Sequence, residues 1–173
     1  SSEIDTSLTP RLPNRPGVRQ YINISEAFKT GFECTWQQRL FAGLSHKMAV
    51  AYTYGQDLVR DQPLPEIAPL DFRYSLEGRY LNGRLLPEIT YRHVLNQDRV
   101  SSAFGETATP SFNVVDLRLS YSVTKYIKCS AGIRNLLNEA YYEHLTRSVL
   151  GNMAGPIYEP GRNAFISLAV DFR

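Results

Sequence analysis

What this chain lacks narrows the field first. No apolar run approaches the roughly 18 residues of a membrane-spanning helix, so a helical membrane protein is excluded. Membrane strands are not excluded, because they hide their hydrophobicity in alternation, and a mean hydropathy of −0.29 is compatible with that. Cysteine is almost missing: Cys34 and Cys129 are the only two, with no metal or redox spacing between them. A large excess of either charge is missing as well. A net charge of +2 gives no bulk electrostatic attraction to nucleic acid. No Ser-His-Asp or paired-carboxylate arrangement stands out, so no catalytic residue and no enzyme is expected. The opening Ser1-Ser2-Glu3-Ile4-Asp5 is polar and is no signal peptide. The expectation is therefore an exported chain whose signal was removed, or a piece of something longer.

What is present is strand. Aromatics make up 12% of the 173 residues, 11 of them Tyr, which excludes disorder and fits one domain's worth of chain. At the C-terminal end, Ala164, Ile166, Leu168, Val170 and Phe172 share one strand face. Asn163, Ser167, Asp171 and Arg173 share the other, with Phe165 the one large exception. The two-faced pattern, at about the 10-residue length of a tilted membrane strand, recurs along the chain. Residues 1–17 hold three prolines and read as a loop. From Val18 to Leu40 one parity holds throughout, which predicts a single long strand projecting beyond the membrane. Further strands follow around Met48–Tyr54, Leu70–Tyr80, Leu85–Arg92, Val115–Ser122 and Ile127–Arg134, the last with an extension beyond Asn135. Asn82-Gly83 is the strongest hairpin signal.

These seven strands are joined by connections that alternate in length. Those near 42–45, 82–83 and 123–125 are short, and those near 56–68, 96–111 and 147–161 are long. Outer-membrane barrels have short periplasmic turns and long outside loops, whereas a soluble sandwich has no reason to separate them. Charged residues on the polar face can pair across a wet lumen. The fold class expected is all-β, made of antiparallel transmembrane β-barrel strands. Were Val18–Leu40 a hairpin, the count would be eight, enough for a small complete barrel with an adhesive or structural role. A soluble β-sandwich or lipocalin-like binding module is the third reading.

Several stretches carry a resemblance. They are Tyr21-Ile22-Asn23 followed by Gly31-Phe32-Glu33, Pro63-Leu64-Pro65-Glu66-Ile67-Ala68-Pro69, and Phe112-Asn113-Val114-Val115-Asp116-Leu117. Gly132-Ile133-Arg134-Asn135-Leu136-Leu137-Asn138-Glu139-Ala140-Tyr141-Tyr142 and Pro160-Gly161-Arg162-Asn163 complete the set. In this order the chain resembles the C-terminal portion of TonB-dependent outer-membrane receptors. The resemblance implies the last seven or so strands of a plugged barrel of about 22 strands. Residues 1–173 would be part of that one barrel domain, with 1–17 an external loop, 18–173 strands and loops, and the plug absent. It also implies TonB-driven uptake of a ferric siderophore, haem, cobalamin or copper across the outer membrane of a Gram-negative bacterium. The expected partners are the N-terminal remainder of the barrel with its plug, the TonB complex reached through that plug, outer-membrane lipids and lipopolysaccharide, and the metal-chelate ligand. No nucleic acid and no cofactor is expected.

Ligand-binding candidates lie in the loops. Arg60, Arg99 and Arg147 could attract anionic chelates, or be solvated charges or lipopolysaccharide contacts. Phe104 and Tyr158 could stack on a planar ligand or pack within the loops. Glu143, His144, Met153 and Tyr158 fall in or near the last loop, where a structural role competes with metal ligation, and no metal site is assigned. His46 and His93 read as strand or membrane-edge residues. Cys34 and Cys129, both on the apolar face, read as lipid-facing and unpaired. Phe172 is expected to serve as the membrane-assembly signal.

Overall fold

A computed structural model describes residues 2–5, 18–21, 25–146 and 155–172. Strands β1 (Ser2–Asp5) and β2 (Val18–Tyr21) pair as an antiparallel ribbon. Then come β3 (Ala27–Arg39), β4 (Leu44–Asp57), the two-residue β5 (Gln62–Pro63), β6 (Asp71–Gly78) and β7 (Leu85–Val94). The last three are β8 (Phe112–Ser122), β9 (Ile127–Arg134) and β10 (Asn163–Val170). Seven of these form one antiparallel meander in the order β10-β9-β8-β7-β6-β4-β3, with β5 appended to β4. Among the described residues the path stays open: β3 and β10 are its edges.

The register explains the alternation. One row across five strands is apolar: Leu76, Ile89, Leu117, Ile133 and Ala164 stand opposite one another. Shifted by one residue, the row reads Glu77, Glu88, Arg118, Gly132 and Phe165. Each strand therefore presents an apolar and a polar face, as a period of two demands. Phe165, the exception in the last strand, lies directly opposite Gly132. Its ring covers the site, since a Cβ on Gly132 would sit 2.6 Å from the ring. An aromatic laid across a strand glycine shields the bare backbone that glycine leaves.

The short connections, residues 40–43, 79–84 and 123–126, all lie at one end of the sheet, and the long ones lie at the other. Ala42 and Gly43 both have positive φ and close the first turn. In the second, the expected hairpin forms with a four-residue loop. Leu81 and Asn82 occupy the central left-handed positions and Gly83 follows them, so the Asn-Gly pair sits one residue later than a two-residue turn would place it. In the third, Thr124 Oγ1 accepts from the backbone of Tyr126 and Ile127, both at 3.1 Å.

Three expectations need correction. The stretch 1–17, read as loop, contains β1. The single strand from Val18 to Leu40 is two strands in different sheets, separated by a bend at Ser25 and Glu26. The strand ending at Arg134 has no extension: Asn135 takes φ 50° and turns the chain back. Cys34 on β3 and Cys129 on β9 are free thiols. Four strands lie between theirs, so at about 4.8 Å per strand they are too far apart to bridge.

Candidate functional site

The long connections dock on one another at their end of the sheet. Leu64 and Ile67 of the Pro63–Pro69 stretch pack on Gly55, where an added Cβ would lie 2.8 Å from Ile67 Cδ1. The buried Gln97 side chain donates to the Ile67 carbonyl at 2.8 Å, and its backbone pairs with that of Thr109. Thr109 shares a 2.8 Å hydrogen bond with His144 Nδ1. Burial pushes the His144 imidazole below its usual value, opposed by the nearby Glu106 carboxylate. Glu106 itself accepts from the backbone N–H of Glu66 at 2.6 Å and of Ser101 at 2.9 Å. Loops 58–70 and 95–111 and the segment 135–146 thus share one network of polar ties that runs from the buried Gln97 to the surface at Glu66.

Arg92 on the polar face of β7 anchors that network to the sheet. Its guanidinium donates to Asp71 at 2.7 and 3.0 Å and pairs with Glu143 of the last loop. Beside it, Phe112 takes the Tyr141 ring at 4.3 Å and the Arg92 guanidinium at 5.3 Å. Val94, Phe112 and Val114 form the buried apolar cluster that Tyr141 closes. Burial, chiefly, raises the Tyr141 phenol above its ordinary value, so it stays protonated.

Asn135 is the pivot of the last loop. Its N–H donates to Asp116 at 2.8 Å, its amide oxygen accepts from Glu139, and its amide nitrogen reaches the carbonyls of Glu139 and Pro160. Asn138, also at positive φ, accepts from the Arg162 N–H at 2.9 Å. A side chain at Gly161 would meet the Asn138 amide oxygen at 2.9 Å. The stretches 132–142 and 160–163 are therefore two halves of one brace.

The structure separates the expected ligand-binding residues. His144 is in the network. Phe104 lies half-buried in a 3-10 turn, Ser102–Phe104. Arg99 stacks 4.1 Å over the Tyr54 ring and donates to Gln56 at 2.7 Å. Arg60 is exposed, its backbone N–H held by Asp57. Tyr158 is exposed and meets Tyr142 edge-on at 5.4 Å. Arg147 and Met153 lie outside the described residues. Among the described residues, no three His, Cys, Asp or Glu side chains converge into a metal-holding group. His46 lies between Trp36 and Tyr74 near the short-turn end, and His93 bonds Asn113 at 2.8 Å. Sequence reasoning missed Arg92, Asp71 and Asn135 as the residues that hold the loops. For Asn135 alone a signal existed, in the Asn-Leu-Leu-Asn run.

A single open meander with two unlike faces, and with loop length segregated by end, is a length of β-barrel wall. Residues 1–136 match the family described as TonB dependent receptor-like, beta-barrel, and the chain belongs to that family. No curated protein matches. Among solved structures the chain is similar to the copper transporter OprC, with 27% identity and a TM-score of 0.78 over 84% of this chain and 24% of that one. It is also similar to the ferric enterobactin receptor PfeA of Pseudomonas aeruginosa (18% identity, TM-score 0.71, 99% and 26% covered). A third is the ferric yersiniabactin uptake receptor FyuA of Yersinia pestis (19%, 0.67, 85% and 24%). The chain thus spans about a quarter of the length of these neighbours. Family members are receptors and transporters of the Gram-negative outer membrane and not enzymes.

Proposed function

We propose that this chain is a stretch of barrel wall in an outer-membrane receptor that imports a metal ion or metal chelate with energy delivered through TonB. The observation that carries the reading is the seven-strand meander, similar to OprC at a TM-score of 0.78, with every long connection at one end. In this reading the apolar face meets lipid, the polar face meets the lumen and plug, the long loops lie outside and the short turns face the periplasm. The neighbours' cargoes, copper, iron and ferric siderophores, bound the substrate class.

The exposed Tyr158, backed edge-on by the half-buried Tyr142, is the best-presented surface for a planar or aromatic chelate. Arg60, Arg99, Phe104, His144, Arg147 and Met153 stay secondary. Arg99 is engaged by Tyr54 on the apolar-face side, where lipopolysaccharide would be the nearer ligand, and His144 is spent on loop packing. The readings as a small complete barrel or a sandwich are disfavoured by one sheet that neither closes nor stacks on a second among the described residues.

Uptake of radiolabelled copper and ferric chelates by cells carrying the full receptor gene tests the proposal. The expected result is accumulation of one such cargo that disappears when TonB is deleted. Accumulation independent of TonB, or of none of these cargoes, would overturn it.

A further inference from the structure

The two ends of the sheet differ in charge as well as in loop length. The short connections hold Arg79, Arg84 and Lys125, with Arg39 at the end of β3, and contain no Asp or Glu. The long connections carry more acids than bases. Arg39, Arg79, Arg84 and Lys125 are all exposed and make no ion pair among the described residues. The Arg79 stem lies alongside Gly83, at the tip of its turn, and Lys125 is itself a turn residue with its ammonium 4.8 Å over the Tyr126 ring. Of the acids towards this end, Glu77 and Glu88 stand opposite each other inside β6 and β7 on the polar face, and Asp171 directly follows β10. Each short turn also exposes apolar side chains, the most exposed being Phe41 at 77%, next to Arg39, Leu81 at 61% and Val123 at 46%.

We infer that this rim is a binding surface for acidic phospholipid headgroups of the leaflet it meets, an inference that rests on the barrel orientation proposed above. The apolar face runs down to the turns through Leu44, Leu76, Leu85 and Tyr121, so hydrocarbon contact ends where the cations begin. At that level, exposed apolar tips settle into the acyl boundary. Flexible cationic stems reach past them to the phosphates, as long basic side chains do at interfaces. An anionic headgroup satisfies these charges, and a zwitterionic one brings its own cation to the same place. A plug in the lumen is the competing partner for the three arginines, because their positions continue the polar parity.

The test uses the full receptor, stripped of lipid in detergent and then offered equal phosphatidylglycerol and phosphatidylethanolamine, with retained lipids counted by native mass spectrometry. Wild type is expected to retain phosphatidylglycerol preferentially. The preference should fall about fivefold for each cation neutralised in R79Q, R84Q and K125Q. R162Q, at the opposite end, should leave it unchanged. Equal retention of the two lipids by wild type overturns the inference, as does an undiminished preference in the triple variant. If the triple variant keeps its preference but leaks current in planar bilayers, the cations hold the plug and the inference falls. Failure of the wild type to insert into bilayers as a heat-modifiable barrel would instead overturn the barrel reading itself.

Discussion

Arg92 is the residue on which the loop end depends most. Its side chain is 21% exposed and meets two carboxylates from elements far apart in sequence, Asp71 of β6 and Glu143 of the last loop. Arg92→Gln keeps a donor of similar length but leaves Glu143 without its cation and Asp71 with only the longer 3.3 Å pair to Arg73. The expected cost is about 1–3 kcal/mol, localised to the docking of 135–146. Hydrogen exchange in the full receptor should show faster exchange there, with β9 unchanged; unaltered protection of 135–146 would refute the anchor. The tie between Thr109 and His144 predicts a pH effect of definite sign. Burial lowers the folded-state pKa below the ordinary value of about 6.5. The open loop then binds more protons than the docked one, so docking is fully stable above about pH 6.5 and weakens as pH falls through the folded value. Exchange at 135–146 should accelerate at pH 5 relative to pH 7.5, and His144→Gln should flatten that dependence. Neither role was legible in sequence. Arg92 sits among other polar-parity charges, and nothing in its spacing points to Glu143. Asn135 fell within a recognised motif, yet its bracing of Pro160 appears only when strand and loop are folded together.

Element boundaries show where alternation is informative and where it misleads. Parity placed all seven strands of the meander, because each buries or exposes one face consistently and a one-residue slip would invert it. Parity also ran unbroken from Val18 to Leu40, where the chain in fact leaves one sheet and enters another. Alternation does not record partners: β2 pairs with Ser2–Asp5 and β3 with β4, and a bend at Ser25 and Glu26, residues without a strong turn signature, separates them. Phe165, which broke the pattern, was a true signal of a different kind, the cover of Gly132 on the neighbouring strand. A Cβ at Gly132 would lie 2.6 Å from the Leu117 carbonyl oxygen as well as 2.6 Å from the Phe165 ring. Gly132→Val should therefore destabilise the β8–β9–β10 region by about 1–3 kcal/mol. Adding Phe165→Ala should not rescue it, because the clash with backbone remains. The thermal transition of the folded electrophoretic form reads this out, and recovery in the double variant would show that the ring alone sets the constraint.

At the scale of the molecule, two tests address the medium on either side and the edges of the sheet. In the full receptor, cysteines at Leu117 and Ile133 should react with lipid-phase reagents and cysteines at Arg118 and Arg134 only with aqueous ones. A charge at mid-membrane facing lipid costs about 2–4 kcal/mol, so equal aqueous labelling of both sets would remove the membrane reading. The edges impose a further requirement. All 13 residues of β3 are exposed, and among the described residues its far side and that of β10 have no partner strand. In hydrocarbon each unpaired N–H or C=O costs several kcal/mol, so an open seven-strand sheet cannot rest in a bilayer. Within a barrel, neighbouring strands cover both edges, and the chain spans only 24% of OprC. Residues 25–173 expressed alone with an export signal should therefore fail to reach a protease-resistant, heat-modifiable state. Co-expression with the rest of the receptor, split in the loop before β3, should restore it. Phe172 lies just past β10, 92% exposed, where Asp171 N–H holds the chain to the Tyr126 carbonyl at 2.9 Å. Phe172→Asp in the intact receptor should abolish assembly and uptake together, since it puts a charge at the lipid boundary beside the edge strand β10. A monodisperse, protease-resistant barrel from residues 25–173 alone would mean that β3 and β10 pair with each other, and the receptor reading would give way to a small self-contained barrel.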